Sequence, residues 1–304
     1  MHLAGKGQAA QQEQPAPAPL RGECVVAPQS VPPHCAVLPC ATQQPLPLLS
    51  APSGVSSRCP VTGERTVLLA VFVCAVRRGR PPSAAELCLA RAKVLALGRR
   101  LREAPVVRDE QGRAIALGPG DRRAIFFDAL EYEGRATRAY ALVSIPASAS
   151  PETPVPGIVL VHGGGGSAFQ EWVDLWAERG YAAISIAVEG QTDAREPRED
   201  GRGAWLRHEW AGPSRVGIYG DMAKPLADQW MYHAVADTVL ANSLLRSVPA
   251  VNAGKVGVMG ISWGGVVTST VIGIDSRFAF AIPTYGCGHK FDSANQYGAA
   301  LGGM

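Results

Sequence analysis

A serine between two glycines, at residues 260–264, is the strongest chemical signal in the chain. The segment Lys255-Val-Gly-Val-Met-Gly-Ile-Ser-Trp-Gly-Gly265 joins an apolar, strand-like run to a helix-like continuation from Trp263. A serine on a sharp strand-to-helix turn has a strained backbone, so Gly260 and Gly264 supply clearance that side chains would remove. The N–H groups at the start of the helix then face negative charge developing beside the serine. The spacing favours Ser262 as a nucleophile; a Gly/Ser-rich loop opening an ordinary helix is the alternative.

A second glycine-rich segment lies earlier in the chain. His162 to Gly166 (His-Gly-Gly-Gly-Gly) directly follow the apolar run 157–161. Acyl transfer by a serine needs a base, an acid that holds the base, and N–H donors for the oxyanion. Those donors come from the residue after the nucleophile and from a loop after an earlier strand. We therefore predict an oxyanion hole built from the N–H group of Trp263 and an N–H group of this glycine loop.

The same glycines also support a different function. Gly163-x-Gly165-x-x-Ala168 matches the dinucleotide fingerprint, and Glu189 follows about 20 residues later at the end of the next predicted strand. This alternative predicts a dinucleotide-binding oxidoreductase. It leaves the serine turn unexplained, and it makes the hairpin predicted before residue 157 superfluous. A hydrolase without a cofactor is the preferred interpretation.

The elements that must position these residues alternate along the chain. They are a hairpin (124–132 and 136–145), a strand (157–161), a helix (167–179), a strand (182–188), a polar insertion (189–227), a helix (227–247), the strand before Ser262 (256–259), its helix (to 274) and a last strand (278–283). This alternation predicts an α/β fold with a doubly wound, mostly parallel sheet preceded by an antiparallel hairpin.

The first 122 residues differ in composition from the rest. Residues 1–62 are rich in Pro, Gln, Ala and Ser, which predicts a disordered or spurious extension. Within segment 63–80, the apolar run 65–76 is either a buried strand or the hydrophobic region of a signal peptide whose true start lies near residue 61. The second alternative predicts a secreted or periplasmic protein, the first a cytoplasmic one. Residues 81–122 begin with a capping box, Ser83 to Glu86, and predict an amphipathic helix and a linker before a partial hydrolase domain at 123–304.

Composition excludes several classes of partner. The chain has 304 residues, 47% of them hydrophobic, and a net charge of +3. This is typical of a globular protein with a sizeable core, and the charge is too weak to indicate nucleic-acid binding. No run reaches the ~18 apolar residues of a membrane span. Six of the seven cysteines precede residue 90, and Cys35 and Cys40 have poor zinc-ligand spacing, so we expect no metal site.

The order of these motifs resembles the α/β-hydrolase superfamily, most closely its acetylxylan esterase-like and prolyl oligopeptidase-like members. The resemblance covers roughly residues 120–304 and includes the run from Arg277 to Gly288 (Arg-Phe-Ala-Phe-Ala-Ile-Pro-Thr-Tyr-Gly-Cys-Gly). It implies a bacterial carboxylic-ester hydrolase that forms an acyl-enzyme on Ser262, with oxyanion N–H groups contributed by Gly163, Gly164 and Trp263. The implied substrate is a small-molecule or carbohydrate ester, such as an acetylated sugar. An S9-type peptidase is the alternative within the superfamily.

The chain departs from this resemblance after Ser262. In this fold the catalytic acid and base follow the nucleophile, after later strands. Only 42 residues follow Ser262, with one predicted strand and then His289 and Asp292 as candidates for a substitute base or acid. We therefore expect a C-terminally truncated hydrolase that is inactive or barely active and has an aggregation-prone sheet edge. His208 and His233 precede the serine, and His233 is expected on a helix surface.

Overall fold

Parallel and antiparallel strands form the centre of the computed structural model, which describes residues 92–93, 95–199, 203–286 and 294. The strands are β1 (Val107–Arg108), β2 (Arg122–Asp128), β3 (Arg138–Ser144), β4 (Val155–Val161), β5 (Ala182–Ala187), β6 (Gln191–Arg195), β7 (Trp205–Arg207), β8 (Val251–Ile261) and β9 (Ala281–Thr284). The helices described over their full length are α1 (Gln170–Glu178), α2 (Trp230–Ser247) and α3 (Trp263–Val271), with a 3₁₀ turn at Leu226–Asp228. The predictions for residues 1–91, which include the capping box from Ser83 to Glu86, and those for Cys287, His289 and Asp292 lie outside the described residues.

Seven of these strands make one sheet in the order β1-β2-β3-β5-β4-β8-β9. The pairs from β1 to β5 are antiparallel, whereas β5, β4, β8 and β9 run parallel. Helix α1 packs on one face, while α2 and α3 contribute to the core on the other. This arrangement confirms a doubly wound, mostly parallel sheet of the α/β-hydrolase type. Because β5 and β8 flank β4, the order reverses at β4, and crevices at the carboxyl ends of such strands are where ligands bind.

The predicted hairpin is present, with a tight turn of its own. Glu133 and Gly134 both have positive φ, 49° and 74°, and Tyr132 and Arg135 exchange two backbone hydrogen bonds of 3.0 Å. This is the primed type of turn, whose twist matches that of paired strands. The seven-residue ladder of β2 and β3 then fixes Phe126 opposite Tyr140.

The N-terminal helical segment, described at 92–93 and 95–100, packs on the main domain. Leu97 and Leu101 join the larger core and are 2% and 7% exposed. Ser243 in α2 donates its hydroxyl to the Leu101 carbonyl at 2.6 Å. Burying each leucine contributes about 1.5–3 kcal/mol.

Several predicted boundaries shift because polar tertiary contacts replace a first helical turn. Helix α1 begins at Gln170 rather than residue 167, since Ser167 donates its hydroxyl to Thr192 O at 2.7 Å. Helix α2 begins at Trp230 rather than 227, since the Trp230 N–H donates to Asp221 Oδ2 at 2.6 Å. β8 is longer than predicted, α3 is shorter, and β9 starts three residues later.

Two further expectations need correction or addition. The prediction that His233 lies on a helix surface is wrong: it is 3% exposed, and its Nε2 donates to Ala227 O at 2.8 Å. The polar insertion, for which no elements were predicted, contains the β6–β7 hairpin. Among the described helices, none has the length and apolar character needed to cross a bilayer.

Candidate active site

Ser262 occupies the turn between β8 and α3 in a strained conformation. Its φ of 55° and ψ of −116° lie where side chains are rarely found, which costs on the order of 1–3 kcal/mol. Two backbone hydrogen bonds hold it there: its N–H donates to Thr284 O at 2.8 Å, and its carbonyl accepts from the Val266 N–H at 3.1 Å. The strain is therefore maintained by β9 on one side and by α3 on the other.

The two glycines around Ser262 are required by close backbone approach. A Cβ on Gly260 would overlap the Gly264 carbonyl and lie 2.6 Å from Thr268 Oγ1. A Cβ on Gly264 would overlap the Val161 carbonyl at the end of β4. The turn and the clearance inferred from the Gly-x-Ser-x-Gly spacing are thus both present.

The glycine loop after β4 lies against Ser262. A Cβ on Gly163 would be 3.3 Å from Ser262 Cβ and 3.9 Å from Ser262 Oγ. Within the loop, Gly166 donates its N–H to Gly163 O at 3.0 Å, and Gly165 donates to Glu189 Oε1 at 3.1 Å. Since those two N–H groups are committed, Gly163 and Gly164 are the loop's candidate oxyanion donors.

Glu189 and Arg215 hold this loop from outside. Arg215 Nε donates to Glu189 Oε1 at 2.9 Å, and the two side chains are only 20% and 7% exposed. The Arg215 guanidinium lies 5.3 Å from the centre of the Trp263 ring system. A Cβ on Gly164 would come within 2.7 Å of Arg215 Nη2, so the loop packs closely against Arg215 and Trp263 and has no room for a larger residue.

This pair bears on the dinucleotide alternative. The Glu189 carboxylate, which that alternative assigns to a ribose, accepts hydrogen bonds from Gly165 and Arg215 within the protein. The glycine loop faces the serine turn instead. Arg215 was missed in the sequence because it lies in a polar insertion without periodicity, 26 residues from its partner.

His162 positions the loop and is unsuited to act as a base. It is fully buried, and its Nε2 accepts the Val188 N–H at 3.0 Å. The ring proton therefore belongs on Nδ1, which donates to Gly163 O at 2.6 Å. Burial lowers the pKa of His162, so the ring stays neutral and holds Gly163 by this hydrogen bond.

Trp263 fixes the start of α3 by aromatic packing. It is 6% exposed and makes edge-to-face contacts with Tyr219 and Trp230, at centroid distances of 5.1 and 5.5 Å. Trp230 in turn donates its Nε1–H to Val188 O at 2.6 Å. Each such aromatic pair contributes about 0.5–1.5 kcal/mol beyond burial, which stiffens the first turn of α3.

The structure thus brings together Ser262, Trp263, Gly163 and Gly164 at the carboxyl ends of β4 and β8. The candidate base and acid, His289 and Asp292, lie outside the described residues. Over the part of the chain that is described, no cluster of three or more His, Cys, Asp or Glu side chains has the arrangement of a metal site.

Comparison with known proteins gives three findings. A model of the family described as acetyl xylan esterase (AXE1) matches residues 124–298, more than half of the chain. Among solved structures, the acetyl xylan esterase from Paenibacillus sp. R4 is 19% identical, with 71% of this chain and 63% of that chain covered and a TM-score of 0.46. Acetyl xylan esterase 1 from Thermoanaerobacterium sp. JW/SL YS485 is 16% identical, with 69% and 65% covered and a TM-score of 0.46. The chain therefore spans somewhat less than two thirds of the length of these esterases.

A peptidase is also similar, over a smaller part of its length. The Pyrococcus horikoshii acylaminoacyl peptidase is 19% identical, with 55% of this chain and 23% of that chain covered and a TM-score of 0.35. A search of curated proteins finds no match.

Proposed function

The chain belongs to the acetyl xylan esterase family (AXE1), and on that premise we propose that it is a serine esterase that removes acetyl groups from a carbohydrate. The observation that carries the proposal is the strained backbone of Ser262, φ 55° and ψ −116°, at a strand-to-helix turn facing the glycine loop. Strain of this kind is maintained where it exposes a reactive group.

In the proposed reaction, Ser262 Oγ attacks the acetyl carbonyl carbon as a base takes its proton. The N–H groups of Trp263, Gly163 and Gly164 stabilise the resulting oxyanion, with the N-terminus of α3 adding favourable electrostatics. The bond from carbon to the sugar oxygen then breaks, and the sugar leaves as an alcohol after receiving the proton. Water attacks the acetyl-serine with the same base as proton acceptor, which releases acetate and restores Ser262.

We assign the base to His289 and its orienting acid to Asp292. Gly286 lies beside the nucleophile, because a Cβ on it would overlap the Ser262 carbonyl. His289 is the third residue after Gly286, and an extended chain of that length reaches about 10 Å. This short sequence separation supports the assignment of His289, whereas His162 and His233 are held by backbone partners.

Hydrolysis of p-nitrophenyl acetate and release of acetate from acetylated xylan test the proposal. Ser262→Ala should lower kcat by more than about 10⁴-fold, and His289→Ala should have a comparable effect. Ser269→Ala, on the same helix, is the matched control and should retain activity. A fluorophosphonate probe should label the unaltered chain at Ser262. Esterase activity that persists in Ser262→Ala would refute the mechanism, and amide cleavage exceeding ester cleavage would indicate a peptidase.

A further inference from the structure

A second cavity, of about 410 Å³, lies away from the serine turn, between the hairpin and the insertion. Its lining includes Phe126 and Tyr140 from β2 and β3, together with Asp193, His208, Glu209 and Trp210 from the insertion. None of these residues takes part in the chemistry proposed for Ser262.

The sheet register places this cavity at the same end of the strands as the nucleophile. Tyr140 pairs with Ala187, the last residue of β5, and β5 is separated from β8 by β4 alone. Three strand spacings, about 14 Å, thus separate Tyr140 in β3 from the strand that carries Ser262. An extended oligosaccharide of a few residues would span that distance.

Aromatic rings form one wall of the cavity. Phe126 is surrounded edge-to-face by Tyr140, His208 and Trp210, at centroid distances of 5.4, 5.0 and 5.1 Å. Rings of this kind offer apolar contact area together with polar atoms at the periphery. The C–H faces and hydroxyl edges of a sugar ring match both properties.

Polar groups complete the lining. Tyr140 donates its hydroxyl to Asp193 Oδ1 at 2.6 Å, and the carboxylates of Glu110 and Glu209 lie nearby in the wall. Arg138 stacks on Trp210, at 4.2 Å from the ring centroid. The lining itself carries three carboxylates, which disfavour an anionic ligand, so a neutral one fits the cavity.

His208 is the unexplained group of this cavity. Both of its ring nitrogens are buried, and neither has a hydrogen-bond partner among the described residues. Burial, together with the charges of Arg207 and Arg138, lowers the pKa of His208 to about 4. At neutral pH the ring is therefore uncharged, with one donor and one acceptor to satisfy.

We propose that this cavity is a binding subsite for a neutral sugar residue of the xylan chain, remote from the residue whose acetyl group reaches Ser262. His208 and Asp193 bind sugar hydroxyls there, while the partly exposed Trp210 contacts the sugar ring. The proposal rests on the proposed function for the class of its ligand.

Isothermal titration of the full-length chain with xylotetraose, which carries no acetyl group, tests the subsite without hydrolysis. His208→Phe keeps the aromatic packing and removes both nitrogens, and Asp193→Ala removes an exposed carboxylate, so the second variant is informative even if the first folds poorly. Each should weaken binding about three- to tenfold, the loss expected for one or two hydrogen bonds. The kcat/KM for p-nitrophenyl acetate, which is too small to reach the cavity, should stay within about twofold.

Asp174→Asn, an exposed change on α1, is the control and should alter neither measurement. Absence of xylotetraose binding, or unchanged affinity in both cavity variants, would overturn the subsite. Failure of the proposed function appears separately, as esterase activity that does not depend on Ser262.

Discussion

Replacing Glu189 by glutamine tests whether the Glu189–Arg215 pair holds the glycine loop in its active form. Glutamine keeps the shape of the side chain, and its amide oxygen can still accept the Gly165 N–H. The substitution removes the negative charge that faces Arg215 at 2.9 Å, together with the long 3.4 Å hydrogen bond that Gln191 Nε2 donates to Glu189 Oε2. Its effect therefore reports the ion pair and not the loss of a backbone anchor.

The expected magnitude follows from burial. Removing one partner of a fully buried pair costs about 3–5 kcal/mol, whereas exposed pairs contribute about 0–1 kcal/mol. Glu189 is 7% exposed and Arg215 20%, and Arg215 keeps a hydrogen bond to Gly217 O at 2.6 Å. We therefore expect Glu189→Gln to lower the free energy of unfolding by about 2–3 kcal/mol.

Activity should fall as well, because Arg215 packs on Trp263 and Gly164, two of the proposed oxyanion donors. Loss of a whole oxyanion donor lowers kcat by about 10²–10³-fold. Displacement of a donor, without its removal, should lower kcat by roughly tenfold. KM should stay nearly unchanged, because an oxyanion donor acts on the transition state and not on the bound substrate.

Urea denaturation followed by circular dichroism, together with p-nitrophenyl acetate kinetics, measures both effects. Asp174→Asn is the matched control, since Arg122 and Asp174 form a slightly shorter pair, of 2.7 Å, whose side chains are 61% and 28% exposed. It should cost under about 1 kcal/mol and leave kcat unchanged. If Glu189→Gln is no more destabilising than Asp174→Asn, or if its kcat stays within twofold of that of the unaltered protein, the role of the Glu189–Arg215 pair in holding the glycine loop is refuted.

Two other substitutions test the energetics of the fold. Gly260→Ala should destabilise the protein by more than about 3 kcal/mol, because its Cβ would overlap the Gly264 carbonyl. Gly254→Ala is the control and should leave the melting temperature nearly unchanged, because its Cβ would meet only Asn252 Oδ1, at 3.4 Å. Burial raises the pKa of Asp237 to about 7, above its value of about 3.9 in the unfolded chain. Ionisation of this carboxyl therefore has no effect on stability at low pH and lowers the free energy of unfolding as pH rises from about 4 to 7. Asp237→Asn should therefore stabilise the protein by about 2–3 kcal/mol more at pH 8 than at pH 5 in urea denaturation, and an equal effect at both pH values would contradict this account.

The sheet and the serine turn were predictable because their signals are local. Apolar runs such as 157–161 predict strands buried on both faces, and β4 has that character. The glycines around Ser262 follow from steric requirements within a few residues. Helix starts were predicted less well, because Ser167 and Trp230 use partners far along the chain in place of a first turn.

His233 shows why periodicity misplaced a side chain. The apolar residues of α2 follow helical spacing, which predicts one buried face and one exposed face. In the structure both faces are covered, and the buried residues include Asp237 and Asn242. Asn242 donates to Asp275 Oδ2 at 2.9 Å, a partner 33 residues away that no local pattern indicates.

The insertion after β5 links the nucleophile's surroundings to the second cavity. It begins at Glu189, which anchors the glycine loop, and includes Asp193 and His208, which line the cavity. Arg207 ties the start of the insertion to its middle, because its guanidinium donates to the Glu189 carbonyl, to Ser214 Oγ and to Gly212 O. Exchanging this insertion to change substrate preference would therefore also disturb the oxyanion loop unless Glu189, Arg207 and Arg215 were kept. The proposed sugar subsite and the support of the glycine loop then both depend on one continuous segment, and a variant that breaks the Arg207 contacts is expected to disturb both.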